Sequence, residues 1–304
     1  MIPSDRRSGP ARGALASVLL LLAASTPLVP LAAPAQAIDT RAAAEVFDQA
    51  QALCTEDAGV LWARMLCGPL LLVEPGTGAA VGNRPDLSGV LAAKHGTAVF
   101  AGRLPDDLPR GERILEWDNV RWAQLAWPLP ADPLDRRQLL GRELWQRLRN
   151  ELRLPDQAAP ASHLDDDPAA RRLLQREWRA LARALAHRDR PERLHRAVQQ
   201  AWSARQARHA RIGLLAAEAE RGQELIEGLG EYTGLLLSGR EDPHAWLVRA
   251  LRRPPGTQPL ATAFAHRSGP AWALLLDHAG VVWRVHVRPD ADLAAQAHQA
   301  ITAP

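Results

Sequence analysis

Asp132-Pro133 divides this chain into two kinds of hydrophobic pattern, and no fold that ignores the division can satisfy both. Before it, residues 60–128 give short apolar runs separated by turn residues. Val60-Leu61-Trp62-Ala63, Pro69-Leu70-Leu71-Leu72-Val73 and Thr97-Ala98-Val99-Phe100 read as strands. Pro75-Gly76-Thr77-Gly78 reads as a turn leading back through Ala79-Ala80-Val81. Ile114–Trp117 and Val120–Trp127 read as a hairpin closed by Asp118-Asn119. After Asp132, an N-cap followed by proline in the first turn, the period becomes helical. Leu134, Leu139, Leu140, Leu144, Leu148 and Leu152 fall on one stripe, which predicts a helix over 133–153. Further helices are expected from Asp167-Pro168 to Leu185, from Pro191 to Trp202, from Ile212 to Leu229, and over 243–251, 270–277 and 290–301. A short one is expected over 41–54, and 156–167 reads as a loop. The fold class expected is α+β, a small N-terminal antiparallel sheet packed against a mainly helical body.

The first 37 residues read as a cleavable export signal. Arg6, Arg7 and Arg12 precede the apolar run Ala14–Ala24, and Ala35-Gln36-Ala37 supplies the small-x-small cleavage pattern. Pro27 and Pro30 interrupt the run, which argues against a retained anchor. The mature chain is thus expected to be periplasmic or secreted, with no membrane association after cleavage. Arg6-Arg7 leaves the export route open. Residues 38–304 are read as one domain, strand-rich over 38–130 and helical over 131–304. Cys54 and Cys67 are the only cysteines, and in an oxidising compartment they are expected to pair. Closing that short loop is worth roughly 3 kcal/mol in the chain-entropy view.

Losing the signal removes Arg6, Arg7, Arg12 and Asp5, so formal net charge falls from +3 to about +1. That gives nucleic acid little support as a partner. Residues 171–211 hold twelve arginines, read as solvated faces of amphipathic helices with Glu177 and Glu192 as partners. Gly76-x-Gly78-x-x-x-Gly82 has no helix after it and reads as a hairpin turn rather than a nucleotide loop. His163, His209 and His266 show no spacing of four between histidines and read as ordinary surface or loop residues.

Two segments carry the chemical content: Leu139-Leu140-Gly141-Arg142-Glu143-Leu144-Trp145-Gln146-Arg147-Leu148 and Glu224-Leu225-Ile226-Glu227-Gly228-Leu229-Gly230-Glu231-Tyr232-Thr233-Gly234. They resemble the gluzincin-type zinc metallopeptidases of exported bacterial proteins. There a His-Glu-x-x-His helix supplies two metal ligands and a general base, and a glutamate on a later helix supplies the third ligand. Leu61-Trp62, Gly68-Pro69, Trp127-Pro128-Leu129-Pro130, His163-Leu164-Asp165, Glu177-Trp178-Arg179-Ala180-Leu181 and Ser268-Gly269-Pro270-Ala271 also follow the order of that family, over about residues 50–280. The resemblance implies a zincin-like body. It makes Glu143 a vestigial general base and Glu227 a vestigial third ligand. The two histidine positions, however, read Arg142 and Gln146.

Arginine cannot lose its proton to bind a metal, and glutamine is a poor zinc ligand. Arg142 is therefore expected beside Glu227 or Glu231, neutralising carboxylates that would otherwise face a dication. No cofactor is expected, although the related family uses zinc. The function implied is a degenerate metallopeptidase-like protein, inactive as a hydrolase, that binds peptide or protein or acts as a scaffold. Val120–Trp127 is the strand expected to offer an edge to peptide. Two alternatives stay open: an active zinc peptidase with atypical ligands, and a structural or interaction protein unrelated to peptidases. Sequence leaves the oligomeric state undetermined.

Overall fold

A computed structural model describes residues 37–303 except 97, 112, 155–156 and 255–258. Most of the signal segment expected over residues 1–37 lies outside them, as do Thr97 of the expected third strand and Asp156 of the expected loop. The described part is α+β: a six-stranded sheet lies in the N-terminal half and helices make up the rest. Among the described residues no helix is long and apolar enough to cross a membrane.

Helix α1 (Thr40–Asp57) leads into β1 (Leu70–Val73), β2 (Ala79–Gly82), β3 (Ala92–Ala93), β4 (Phe100–Arg103), β5 (Ile114–Trp117) and β6 (Val120–Ala126). The spatial order is β3-β4-β2-β1-β6-β5. The sheet is mixed rather than antiparallel, because β1 and β6 run parallel, Leu70 beside Ala123 and Val73 beside Ala126. Strand β1 thus has a partner on both sides and is buried on both faces, which explains its unbroken apolar run. Leu70 and Leu72 face the helical core with Ala123 and Leu125. Leu71 and Val73 face a smaller cluster containing Leu115, Trp117 and Trp122. The Gly76–Gly78 segment is the β1–β2 turn, where the Glu74 carboxylate accepts from the Thr77 amide at 2.6 Å.

Two expectations for this half need correction. Val60–Ala63 is a turn and not a strand; Val60 and Ala63 are exposed, while Trp62 and, in part, Leu61 join the core. Trp62 inserts between Trp145, Tyr232 and Trp283 and donates its indole N–H to Thr233 Oγ1 at 3.0 Å. Strand β6 is internal, so it offers no edge; among the described residues the edges are β3 and β5.

The helical half follows as α2 (Pro133–Leu148), α3 (His163–Asp166), α4 (Pro168–Ala186), α5 (Pro191–Ile212), α6 (Leu214–Gln223), a π-helical turn (Glu224–Gly228), α7 (Leu229–Leu237), α8 (Pro243–Arg252), α9 (Leu260–Ala263), α10 (Ala265–His278) and α11 (Leu293–Thr302). Asp132, Asp167 and Asp242 each cap a helix whose first residue is proline. The proline lacks only an N–H that has no helical acceptor there, so the pair starts the helix cleanly. Helix α2 ends at Leu148 and not at residue 153. The helix expected from Ile212 to Leu229 is divided: Gly213 breaks it at φ +82°, and the π turn widens it before α7. Cys54 at the end of α1 is disulfide-bonded to Cys67, with 5.4 Å between their Cα atoms.

Candidate functional site

Helix α2 lies beneath β6 and packs along α7, and glycine sets how closely the two helices approach. A Cβ on Gly234 would sit 2.1 Å from the Gln138 carbonyl oxygen, and one on Gly141 would sit 3.0 Å from Gly234 Cα. Only bare backbone fits at this crossing. It brings the 142–146 turn of α2 against the 227–231 segment. The Gln146 amide and the Trp145 indole both donate to the Ile226 carbonyl, at 3.1 and 3.3 Å. A Cβ on Gly230 would meet Trp145, Gln146 and Arg142 in turn.

The charged groups form one cluster. Arg142 Nε donates to Glu143 Oε1 at 2.9 Å, and its Nη1 lies 3.6 Å from Glu231 Oε2. Glu231 also accepts from Gln138. Glu227 is held by Arg113, the residue just before β5, and by His266 of α10, whose Nε2 is 3.3 Å away. Arg113 Nε also lies 3.9 Å from Glu143 Oε1. Of the two carboxylates proposed for Arg142, it therefore pairs with Glu231, while Glu227 takes a different guanidinium. Glu143 is 3% exposed and its Oε2 has no hydrogen-bond partner among the described residues.

Burial opposes the charge on Arg142, but Glu143 and Glu231 outweigh it and raise its pKa. Burial would likewise raise Glu227, yet the His266 hydrogen bond and the Arg113 guanidinium overcome it and hold the pKa at about 2. A carboxylate depressed on folding stabilises the fold fully above its unfolded pKa, and that contribution is lost as pH falls through the folded value. Glu227→Gln is therefore expected to lose less stability than the parent between about pH 4.5 and pH 2. Urea titrations at several pH values measure this; parallel stability–pH curves for the two proteins would contradict it.

Three carboxylates here face two guanidiniums and a histidine. The cluster does not fit zinc. Position 142 holds a cation, and the position 146 amide is committed to a backbone carbonyl. Among the described residues no group of three or more His, Cys, Asp and Glu is arranged to hold a metal ion. Two cavities flank Arg113. One of about 210 Å³ is lined by Arg110, Gln124, Leu139, Arg142 and Glu143. The other, about 450 Å³, is lined by Ile114, Glu116, Gln146, Arg149 and Glu227.

Sequence reasoning missed Arg113, which carries no local signal. It also misplaced three histidines and two arginines. His266 holds Glu227, while His163 and His209 lie 2.9 and 3.0 Å from oxygens of the buried Glu220. Arg205 and Arg208 are 1% and 0% exposed rather than solvated. Arg205 Nε donates to Glu177 at 2.9 Å and its Nη1 to Glu224 at 2.8 Å, while Arg208 Nε donates to Glu220 at 2.9 Å. The Trp272 indole also donates to Glu177, at 3.0 Å. Against burial, Arg205 and Arg208 hold Glu177 below the usual carboxylate range, and Arg208 with the His163 and His209 hydrogen bonds holds Glu220 well below it. The π turn joins the two clusters: Glu224 enters the buried network and Glu227 the α2–α7 site.

No family model matches this chain, and neither a curated protein nor a solved structure shows significant similarity to it.

Proposed function

We propose that this chain is an exported, degenerate metallopeptidase-like protein, inactive as a hydrolase, that binds peptide or protein at the α2–α7 site. One observation carries the reading: Arg142, at the first ligand position implied by the gluzincin resemblance, lies 2.9 Å from Glu143 and 3.6 Å from Glu231. A guanidinium thereby occupies the neighbourhood of carboxylates that the resemblance assigns to a metal centre. A peptide would then lie along β5, the edge strand beside the cluster, and not along β6. The register, with the Gln124 amide donating to the Arg113 carbonyl, turns the backbone groups of Ile114 and Glu116 away from β6. Those groups are available for strand addition next to the 450 Å³ cavity.

Metal analysis of the purified chain tests the inactive assignment. The expected content is well below one zinc per chain; about one tightly bound zinc per chain would establish an active-type centre with atypical ligands instead. A second reading, a structural or interaction protein unrelated to peptidases, draws on the glycines. Gly228, Gly230 and Gly234 each stand where a Cβ would meet a neighbouring helix. Close packing therefore accounts for the Glu-Gly-Leu-Gly-Glu-Tyr-Thr-Gly segment without any ancestral site.

A further inference from the structure

Along the outer face of α4, Arg172, Arg176, Arg179 and Arg183 recur every three or four residues, and all four are exposed. None has a carboxylate partner among the described residues. Arg179 donates to the Gln175 carbonyl and Arg183 to the Gln200 side-chain oxygen, both neutral acceptors, whereas Arg196 pairs with Glu192, Arg211 with Asp167, and Arg205 and Arg208 with buried glutamates. The stripe covers about 16 Å at the rise of an α-helix. Beside it, between α4 and α5, runs a groove of about 470 Å³. Ala180, Ala204 and Ala207 line it beside Gln199, Gln200 and Ser203, with Arg176, Arg179 and Arg183 at its rim, and among the described residues no Asp or Glu lines it.

We propose that this groove docks an acidic amphipathic helix of a partner protein, independently of the α2–α7 reading. Helices α4 and α5 form a hairpin, and the three alanines in its outer groove leave room for a third helix to approach closely. Guanidiniums three and four residues apart match carboxylates at the same intervals on a facing helix. The partner's apolar stripe would cover the alanines while its flanking acids meet the arginine rim. Nucleic acid fits less well, because the alanines would go unused and among the described residues no exposed aromatic ring lies beside the rim. Trp178 is buried beneath Arg267, and Trp202 is stacked on His298.

The test is fluorescence anisotropy of the full-length chain with a labelled helical peptide of about 18 residues, long enough to hold a helix. Its sequence carries leucine on one stripe and glutamate on both flanks. Saturable, salt-sensitive binding is expected, weakened about tenfold or more in R176E/R179E/R183E and in the separate variant A207E. All four altered residues are exposed, so circular dichroism should match the parent. Absence of binding, or binding indifferent to both variants, would overturn the proposal. So would tighter, variant-sensitive binding to duplex DNA or to phosphatidylglycerol vesicles, which would assign the stripe to phosphate. Self-association abolished by the same variants would overturn it too, in favour of a second copy.

Discussion

Arg205→Met is expected to lower the unfolding free energy by about 3–5 kcal/mol, the range for removing one member of a buried ion network. The cost does not come from lost attraction alone. Glu177 and Glu224, 0% and 1% exposed, would keep their desolvation while losing the guanidinium that compensates it. Arg208 would still reach Glu177, but Glu224 would keep no guanidinium at hydrogen-bond distance among the described residues. Arg196→Met is the matched control: its pair with Glu192 is exposed on both sides, and its loss should be within about 0.5 kcal/mol. Urea unfolding of both variants gives the comparison. Equal, small losses would mean that Arg205 is solvated, as its place in an arginine-rich helix first implies.

The second large effect concerns the helix crossing. Glycine to alanine inside a helix ordinarily stabilises by up to about 1 kcal/mol. Gly234→Ala is expected to do the reverse, costing about 1–3 kcal/mol or more. The added Cβ would meet the Gln138 carbonyl oxygen at 2.1 Å and the Arg142 amide nitrogen at 3.2 Å, both backbone atoms that move only if the helices part. Parting them would also draw Arg142 from Glu231. Thermal unfolding reads the sign directly, and a neutral or stabilised variant would show that α2 and α7 do not touch here.

Much of the scaffold was legible because it rests on local chemistry. The Asp-Pro pairs at 132 and 167 start two helices, and Leu140, Leu144 and Leu148 of the α2 stripe face the core, while Leu134 is exposed and Leu152 lies beyond the helix. Asp118 and Asn119, both at positive φ, close the β5–β6 hairpin in the conformation such residues tolerate. What could not be read depends on partners distant along the chain. The parallel pairing of β1 with β6 spans about fifty residues and has no local signature. It also decides that β6 is interior and β5 an edge. The burial of Arg205 and Arg208 depends on Glu177, Glu220 and Glu224 converging from two other segments, whereas an arginine among alanines on one helix looks the same buried or solvated. At the site, the nearness of Arg142, Glu143 and Glu231 was expected from motif order. Arg113 and His266 were not expected around Glu227: Arg113 stands in no motif, and His266, although beside Ser268-Gly269-Pro270-Ala271, lacks the histidine spacing of a metal ligand.

The central claim is that Arg142 stands among carboxylates inherited from a metal centre, and zinc titration of R142H/Q146H tests it most directly. With Arg142 gone, Glu143 and Glu231 lose their shared cation, and two histidines four apart on α2 can approach Glu227. The account predicts that the folded double variant takes up about one zinc per chain, released by a chelator, while the parent takes up none tightly. A folded double variant with no more affinity for zinc than the parent would contradict it.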